Sequence, residues 1–185
     1  YALLWLSDAY HETGNHRESL NAIHTLLKNY PGSPLEKKAR LREIKESEET
    51  SEDNIQQLLE AYTREYKDDY EVKYLYAQWL KKNNKTDQAQ KVFKELYIGA
   101  GPFSSMSYNE LNKSDISVDD LVKRASNLMN AMDYKAAEST LRSALSKDAE
   151  DMRKDILKPL GHSLFKQKRY SEAAEIYRQA KEKFG

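Results

Sequence analysis

The chain of 185 residues contains no cysteine, which excludes disulfide bonds, Cys-ligated zinc or iron–sulfur sites and thiol nucleophiles. The absence of cysteine leaves the redox compartment open. Glycine and proline are also scarce, with six and four residues, whereas 32% of all residues are charged. This composition is typical of long amphipathic helices rather than of a β-sandwich.

The chain also lacks an excess of charge, because 30 lysines and arginines balance 30 aspartates and glutamates. A neutral chain offers no basic field to a phosphate backbone, so we expect no nucleic-acid partner. Its mean hydropathy is −0.90, and no apolar run approaches the ~20 residues that cross a bilayer, so we expect no membrane-spanning segment. The sequence begins at Tyr1 without a charged-then-apolar leader, and we interpret it as a fragment of a longer protein.

An internal repeat is clearest near the end of the chain. There Leu157-x2-Leu160-Gly161-x2-Leu164 is followed by Tyr170-x2-Ala173-x3-Tyr177-x2-Ala180. This pattern resembles the tetratricopeptide repeat, in which small residues lie where two antiparallel helices cross closely. Such a helix pair cannot bury its apolar face alone and stacks on neighbouring pairs.

The small-residue position recurs at Ser7, Ala77, Ala125 and Gly161. Since one repeat is ~34 residues long, these intervals predict an all-α fold, a right-handed α-superhelix of tetratricopeptide-like antiparallel helix pairs. We expect N-terminal repeats over residues 1–102, divided into 1–34, a degenerate pair 35–69, and 70–102. We expect C-terminal repeats over residues 118–185, divided into 118–150 and 153–185.

Residues 103–117 separate the two groups of repeats. They follow Gly99-Ala100-Gly101-Pro102, which ends the preceding helix, and they are rich in Ser and Asn. We interpret them as an ordered connector that changes the direction of the superhelix, with a short helix around 105–111; a flexible hinge is the alternative. Ser117 with Asp120 three residues later predicts the capped start of the next helix, and Ser33-Pro34 predicts another helix start.

No catalytic or metal motif has suitable spacing. His11-Glu12-Thr13-Gly14-Asn15-His16 resembles the HExxH motif of zinc proteases, but its histidines are five residues apart. On one helix that interval places them ~140° apart, so we predict no metal site and interpret both as polar residues beside a turn. A phosphate-binding loop and a GxSxG elbow are also missing, so we expect no cofactor and no catalytic site within these residues.

The thirteen tyrosines are more numerous than packing of a small domain requires. Tyr10, Tyr134, Tyr170 and Tyr177 occupy repeat core positions, and we expect them to pack inside. A second group precedes or opens the repeat 70–102, where both packing between repeats and stacking on a sugar or peptide ligand remain open; it comprises Tyr62, Tyr66, Tyr70 and Tyr74.

A finer resemblance is carried by three segments. They are the aliphatic–Tyr-Pro-x-Ser-Pro segment at 26–39, Asp119-Asp120-Leu121-Val122-Lys123-Arg124-Ala125 with Leu128, and Leu160-Gly161-His162-Ser163-Leu164 leading to Tyr170 and Ala173. They resemble periplasmic repeat proteins of bacterial envelopes, and in particular the superhelical region of soluble lytic murein transglycosylases. The resemblance implies a periplasmic location and peptidoglycan glycan strands as the partner.

The catalytic domain of such enzymes is missing from this sequence. Their catalytic Glu lies in a Glu-Ser pair followed by a Gly-Leu-Met-Gln-type segment, and neither Glu18-Ser19 nor Glu46-Ser47 is followed by one. The resemblance therefore implies a non-catalytic scaffold that positions glycan for a transglycosylase domain elsewhere in the parent protein.

Three functional hypotheses follow. The first is the glycan-positioning scaffold, the second is a protein–protein adaptor of the cell envelope that binds a protein or peptide, and the third is a spacer without a ligand. In the first two, a concave groove is lined by the first helix of each repeat. The predicted groove contacts are His11, Tyr74, Gln78, Lys81, Lys158, His162 and Phe165.

Overall fold

The computed structural model describes residues 1–51, 53–147 and 153–184. Within these ranges the chain forms eleven α-helices, one short 3₁₀ turn and no strand, which confirms the predicted all-α fold of antiparallel helix pairs. None of the helices in the described ranges has the length and apolarity that crossing a bilayer requires. The chain divides into two compact units, residues 1–76 and 77–185.

The first unit contains four complete helices and the start of a fifth. Their bounds are α1 Ala2–Glu12, α2 His16–Asn29, α3 Glu36–Glu49, α4 Ile55–Glu65 and α5 Tyr70–Lys82. Consecutive helices from α1 to α4 pack against one another. The core between α1, α2 and α3 contains Leu4, Ile23, Leu26 and Ala39.

The second unit contains the end of α5 and six further helices. Their bounds are α6 Thr86–Gly99, α7 Ser104–Glu110, α8 Val118–Asn130, α9 Tyr134–Lys147, α10 Arg153–Lys166 and α11 Tyr170–Phe184. The pairs α8–α9 and α10–α11 are antiparallel hairpins, and α9 also packs on α10. The repeat boundaries proposed from the sequence stay predictions, since the division into units falls within α5 rather than at residue 102.

The small-residue positions of the repeat are buried, as the sequence pattern predicted. Ser7, Ala77 and Ala125 have no exposed surface. At Gly161 an added Cβ would lie 2.7 Å from a ring carbon of Tyr177, so α10 and α11 approach closely because this residue has no side chain. Tyr177 packs there with one face and remains 40% exposed, whereas Tyr170 is 56% exposed, so its predicted place in the core was wrong.

Four helix hairpins turn in the same way. The turns contain one residue in the left-handed conformation, Gly14, Asn84, Met132 or Lys168, with φ between 59° and 73°. The amide that follows each of them donates to a carbonyl five residues earlier, at 2.8–3.1 Å, which ends the first helix of the pair. Only Gly14 has the residue type that this conformation favours, so three of the four turns carry no glycine signal.

Residues 103–117, predicted from the sequence to be an ordered connector, have regular structure over part of their length, while the predicted change of superhelix direction stays a prediction. They contain α7 and the 3₁₀ turn Lys113–Asp115. Ser117 begins α8 with a reciprocal capping box to Asp120, as predicted. The start of α3 differs from the prediction, since the helix begins at Glu36 and the Glu36 carboxylate accepts from the Gly32 amide at 2.8 Å.

Candidate binding surface

The helix α10 presents a stripe of exposed side chains. Lys154, Lys158, His162 and Phe165 are all exposed, and their spacing places them within about 80° of arc on one helix face. Three of the residues predicted as groove contacts, Lys158, His162 and Phe165, therefore face solvent together. We call this set, with Lys154, the α10 stripe.

The α10 stripe is basic. Neither Lys154 nor Lys158 forms an ion pair with any residue that the structure describes. One exposed carboxylate, Asp155, borders the stripe: it lies ~100° from Lys154 around the helix axis but only ~20° from His162. Unpaired exposed ammonium groups leave a positive potential that is available to an acidic partner.

An aromatic pair lies at one end of the α10 stripe. Phe165 is 50% exposed and Tyr170 is 56% exposed, and their rings meet edge to face with centroids 5.3 Å apart. The imidazole ring of His162 and the ring of Tyr134 also meet edge to face, with centroids 6.5 Å apart. The helix α8, which packs beside α10, adds the half-buried Val122 and Met129. The surface thus combines cations with exposed apolar area.

The predicted contacts on α5 are engaged inside the protein. Lys81 forms an ion pair with Glu110 at 2.6 Å, and Gln78 donates to the same carboxylate at 3.4 Å. Tyr74 is half-buried on the same helix. Glu110 ends α7, so Gln78 and Lys81 hold the connector, a pairing for which sequence spacing gave no signal. Their contact with a ligand stays a prediction.

The remaining predicted contact, His11, also has an intramolecular partner. Its Nδ1 lies 2.8 Å from Glu46 Oε1, and Nδ1 of His16 lies 2.8 Å from Glu46 Oε2. A spacing of five separates two histidines only on one continuous helix, whereas His11 lies in the last turn of α1 and His16 begins α2. The turn between the helices therefore brings them together.

The tyrosines near the end of the first unit are structural. Tyr62 is 1% exposed, and its hydroxyl donates to Asp69 at 2.9 Å. Lys37 pairs with the same carboxylate at 2.9 Å. Although desolvation opposes ionisation of Asp69, the hydrogen bonds from Lys37 and Tyr62 outweigh it and lower the pKa of this carboxyl group. Of the two roles left open for this group, packing is the one that Tyr62 performs.

The connector is held by Arg124 of α8. Its guanidinium stacks on the ring of Tyr97, 4.1 Å from the centroid, and donates to the Tyr97 carbonyl and to Ser104 Oγ. Burial lowers the pKa of Arg124, and no carboxylate among the described residues pairs with it. Tyr97 and Arg124 also line a cavity of about 370 Å³ between α7, α8 and α9. The sequence placed Arg124 in a family motif but gave no sign of this contact.

Comparison with known proteins agrees with the repeat class. The helix-hairpin array is of the tetratricopeptide type, and family models described as tetratricopeptide repeat match residues 1–33 and 122–185, which together make up more than half of the chain. These two segments therefore belong to the tetratricopeptide-repeat family. No curated protein matches the sequence.

Several solved structures have a similar fold. MamA from strain AMB-1 is 14% identical with a TM-score of 0.42 and covers 99% of this chain and 98% of its own. A second MamA structure is 14% identical with a TM-score of 0.45, over 98% of this chain and 90% of its own. A kinesin light chain of Podosopora anserina with nearly identical TPR-like repeats is 11% identical with a TM-score of 0.42, over 98% and 92%. These values indicate distant likeness and say nothing about ligands.

The repeat family supports a scaffold for protein–protein interaction. The matched family models and the structures named above give no support to a resemblance to lytic transglycosylases. Peptidoglycan as the partner and the periplasm as the location stay predictions from sequence motifs.

Proposed function

We propose that the chain is a protein-interaction module that binds an acidic segment of a partner protein along the α10 stripe. The observation that carries this proposal is the exposure of Lys158, His162 and Phe165 on one face of α10, inside the segment matched as tetratricopeptide repeat. Carboxylates of the partner meet Lys154 and Lys158, and an apolar side chain packs on Phe165 and Tyr170. Charge complementarity of this kind sets specificity and association rate, and apolar contact adds affinity.

The test uses a short labelled peptide in which Glu and Asp alternate with Leu, and an analogue in which Lys replaces the acidic residues. Binding is measured by fluorescence polarisation at low and high salt. We expect the acidic peptide alone to bind, and its affinity to fall as salt screens the ion pairs. We expect Lys158→Glu to weaken binding about tenfold, equivalent to ~1.4 kcal/mol, and Phe165→Ala to weaken it at both salt concentrations.

Lys135→Glu is the matched control. Lys135 is an exposed lysine on α9, and its replacement makes the same change in net charge at a residue that is not part of the α10 stripe. We expect this variant to bind like the unaltered protein. Equal binding of the acidic and basic peptides, or equal losses in the Lys158 and Lys135 variants, would contradict the proposal.

A second candidate is the periplasmic scaffold that positions peptidoglycan, and it rests on the sequence motifs around Arg124 and Gly161. The same protein and variants can be titrated with muropeptides while NMR follows the side chains of Lys158, His162 and Phe165. Shifts of these side chains with muropeptides, together with no binding of either peptide, would favour this candidate over the adaptor.

A further inference from the structure

Three side chains of metal-binding type converge in the first unit from three different helices. They are His11 at the end of α1, His16 at the start of α2 and Glu46 in the third turn of α3. One ligand atom from each, Nδ1 of both histidines and a carboxylate oxygen, lies within 4.8 Å of the other two. The imidazole rings meet near edge to face, with centroids 5.6 Å apart.

The three groups differ in their access to solvent. The Glu46 side chain has no exposed surface, whereas the side chains of His11 and His16 are 32% and 28% exposed. The Nδ1 atom of each histidine lies 2.8 Å from the Glu46 carboxylate, His11 beside Oε1 and His16 beside Oε2. A buried carboxylate is costly unless charged or hydrogen-bonded groups surround it, so this arrangement fixes Glu46 between the two rings.

One atom of the cluster is not satisfied by protein contacts. His11 Nδ1 is buried and makes no hydrogen bond to a described group. It lies only 2.8 Å from Glu46 Oε1, but it does not approach that oxygen in a direction that suits a hydrogen bond. His16 Nδ1, in contrast, is hydrogen-bonded to Oε2 at the same distance. His11 Nδ1 therefore lies beside the carboxylate as a buried nitrogen that no protein hydrogen bond uses, and it is available to bind a cation shared with Glu46.

We propose that His11, His16 and Glu46 bind a divalent transition-metal ion, with Zn²⁺ as the type that their donor atoms fit best. Two imidazole nitrogens and one carboxylate oxygen are ligands that Zn²⁺ takes in proteins, and water completes four-coordination through the exposed side of the histidines. Both imidazoles bind as neutral rings through Nδ1 and carry their proton on Nε2. Binding therefore releases any proton held on Nδ1.

Arg42 is the other charged group at the cluster. Its guanidinium lies 3.4 Å from Glu46 Oε1 and pairs with the Asp8 carboxylate. Because Asp8 balances the charge of Arg42, the pair leaves Glu46 as the net negative charge facing the ion. Arg42 also holds the carboxylate in place, as the partners of metal ligands commonly do.

The ion would join the first helix hairpin to α3. That helix is highly charged and has a thin apolar stripe, so polar pairs contribute to the contact between α2 and α3 beside the buried Ala39. A second such pair, His24 with Glu43 at 3.1 Å, lies at the same contact. It has one histidine and makes no three-ligand cluster among the described residues.

The experiment titrates the metal-free full chain with Co²⁺ and follows visible d–d absorption, with Zn²⁺ as the competitor. We expect one equivalent of Co²⁺ to bind with the absorption of a four-coordinate site, and Zn²⁺ to displace it. We expect His16→Gln and Glu46→Gln to abolish the bands, and the control His24→Gln to keep them. Circular dichroism of each metal-free variant checks that it is folded.

Thermal unfolding gives an independent measurement. A saturating ligand that binds only the folded state raises the melting temperature, so Zn²⁺ should raise it by several degrees and EDTA should reverse the rise. The rise should disappear in His11→Gln, where α3 still retains its other contacts. Absence of saturable Co²⁺ binding, or the same binding in the His16→Gln and His24→Gln variants, would overturn the proposal.

Discussion

At the scale of single residues, the turns of the helix hairpins show what the chain tolerates. Met132 has φ of 61° and a side chain that is 74% exposed. The left-handed conformation costs a residue with a Cβ roughly 1–2 kcal/mol, and Met132 has little packing to offset this. Asn84 adopts the same conformation with a side chain that tolerates it better.

We predict that Met132→Gly stabilises the protein by roughly 0.5–1 kcal/mol, after allowance for the greater freedom of glycine in the unfolded chain. Urea unfolding of the variant measures the effect. Asn84→Gly should stabilise less, and Met129→Gly, inside α8, should destabilise by ~1 kcal/mol. If Met132→Gly behaves like Met129→Gly, the turn does not hold residue 132 in the left-handed conformation.

At the scale of elements, sequence pattern predicted helices better than it predicted their polar contacts. The capping box of Ser117 and Asp120 was found because both partners lie within one turn of the chain. The pairs His11–Glu46 and Lys81–Glu110 join residues 35 and 29 positions apart. With 30 acidic and 30 basic residues, spacing alone cannot select such pairs, and the cluster around Glu46 appears only when three helices are in place.

The contact between α8 and the connector gives a prediction at this scale. Arg124→Ala removes the stacking on Tyr97 and two hydrogen bonds, and we expect a loss of about 1–3 kcal/mol. Arg124→Lys should recover only part of this, because an ammonium cannot stack as a plane or donate along the same directions. The midpoint of urea unfolding measures both variants.

Lys123→Ala is the control for that prediction. Lys123 is the neighbouring cation, it is exposed, and Asp119 one turn away is its only ion-pair partner within the described ranges. Exposed pairs of this kind contribute little, so this variant should unfold within ~0.5 kcal/mol of the unaltered protein. A similar loss in the Lys123 and Arg124 variants would show that charge on α8, not the contact with Tyr97, is what matters.

At the scale of the molecule, the repeat could be predicted because its information is local and periodic. Ser7 and Ala77 are 70 residues apart, which is close to two repeats, and Ala77 and Ala125 are 48 apart, which is one repeat plus an insertion. Each of the three is fully buried. The exposed stripe on α10 followed from the same periodicity, which placed Lys158, His162 and Phe165 on one face. Tyr170 departs from the pattern because no described element covers its side of α11, so a core position of the repeat is left exposed.

Three carboxyl groups, one in the first unit and two in the second, have lowered pKa values that predict how the stability of the protein depends on pH. Burial opposes the ionisation of Asp69, Asp120 and Glu138, but cationic and hydrogen-bonding partners outweigh it, so each has a pKa below its ordinary value. Asp120 receives hydrogen bonds from Lys94 and Ser117, and Glu138 from Arg142 and Gln167. Each carboxylate is therefore more acidic in the folded chain than in the unfolded chain.

The unfolded chain consequently binds more protons than the folded chain as pH falls below the ordinary carboxyl range, about 4–4.5. The stabilising contribution is complete above that range and is lost as pH falls through the lowered values of the folded state. We expect the melting temperature, measured with EDTA present, to be level between pH 7 and about 5 and to fall steeply below pH 4. Asp69→Asn and Glu138→Gln should each lower the melting temperature at pH 7 and make its fall in acid shallower.

Glu182, whose side chain is 71% exposed, supplies the control Glu182→Gln. Because its ion pair with Arg178 is long, at 4.0 Å, and solvent-exposed, its loss should leave the profile unchanged. An unchanged profile in all three variants would contradict the assignment.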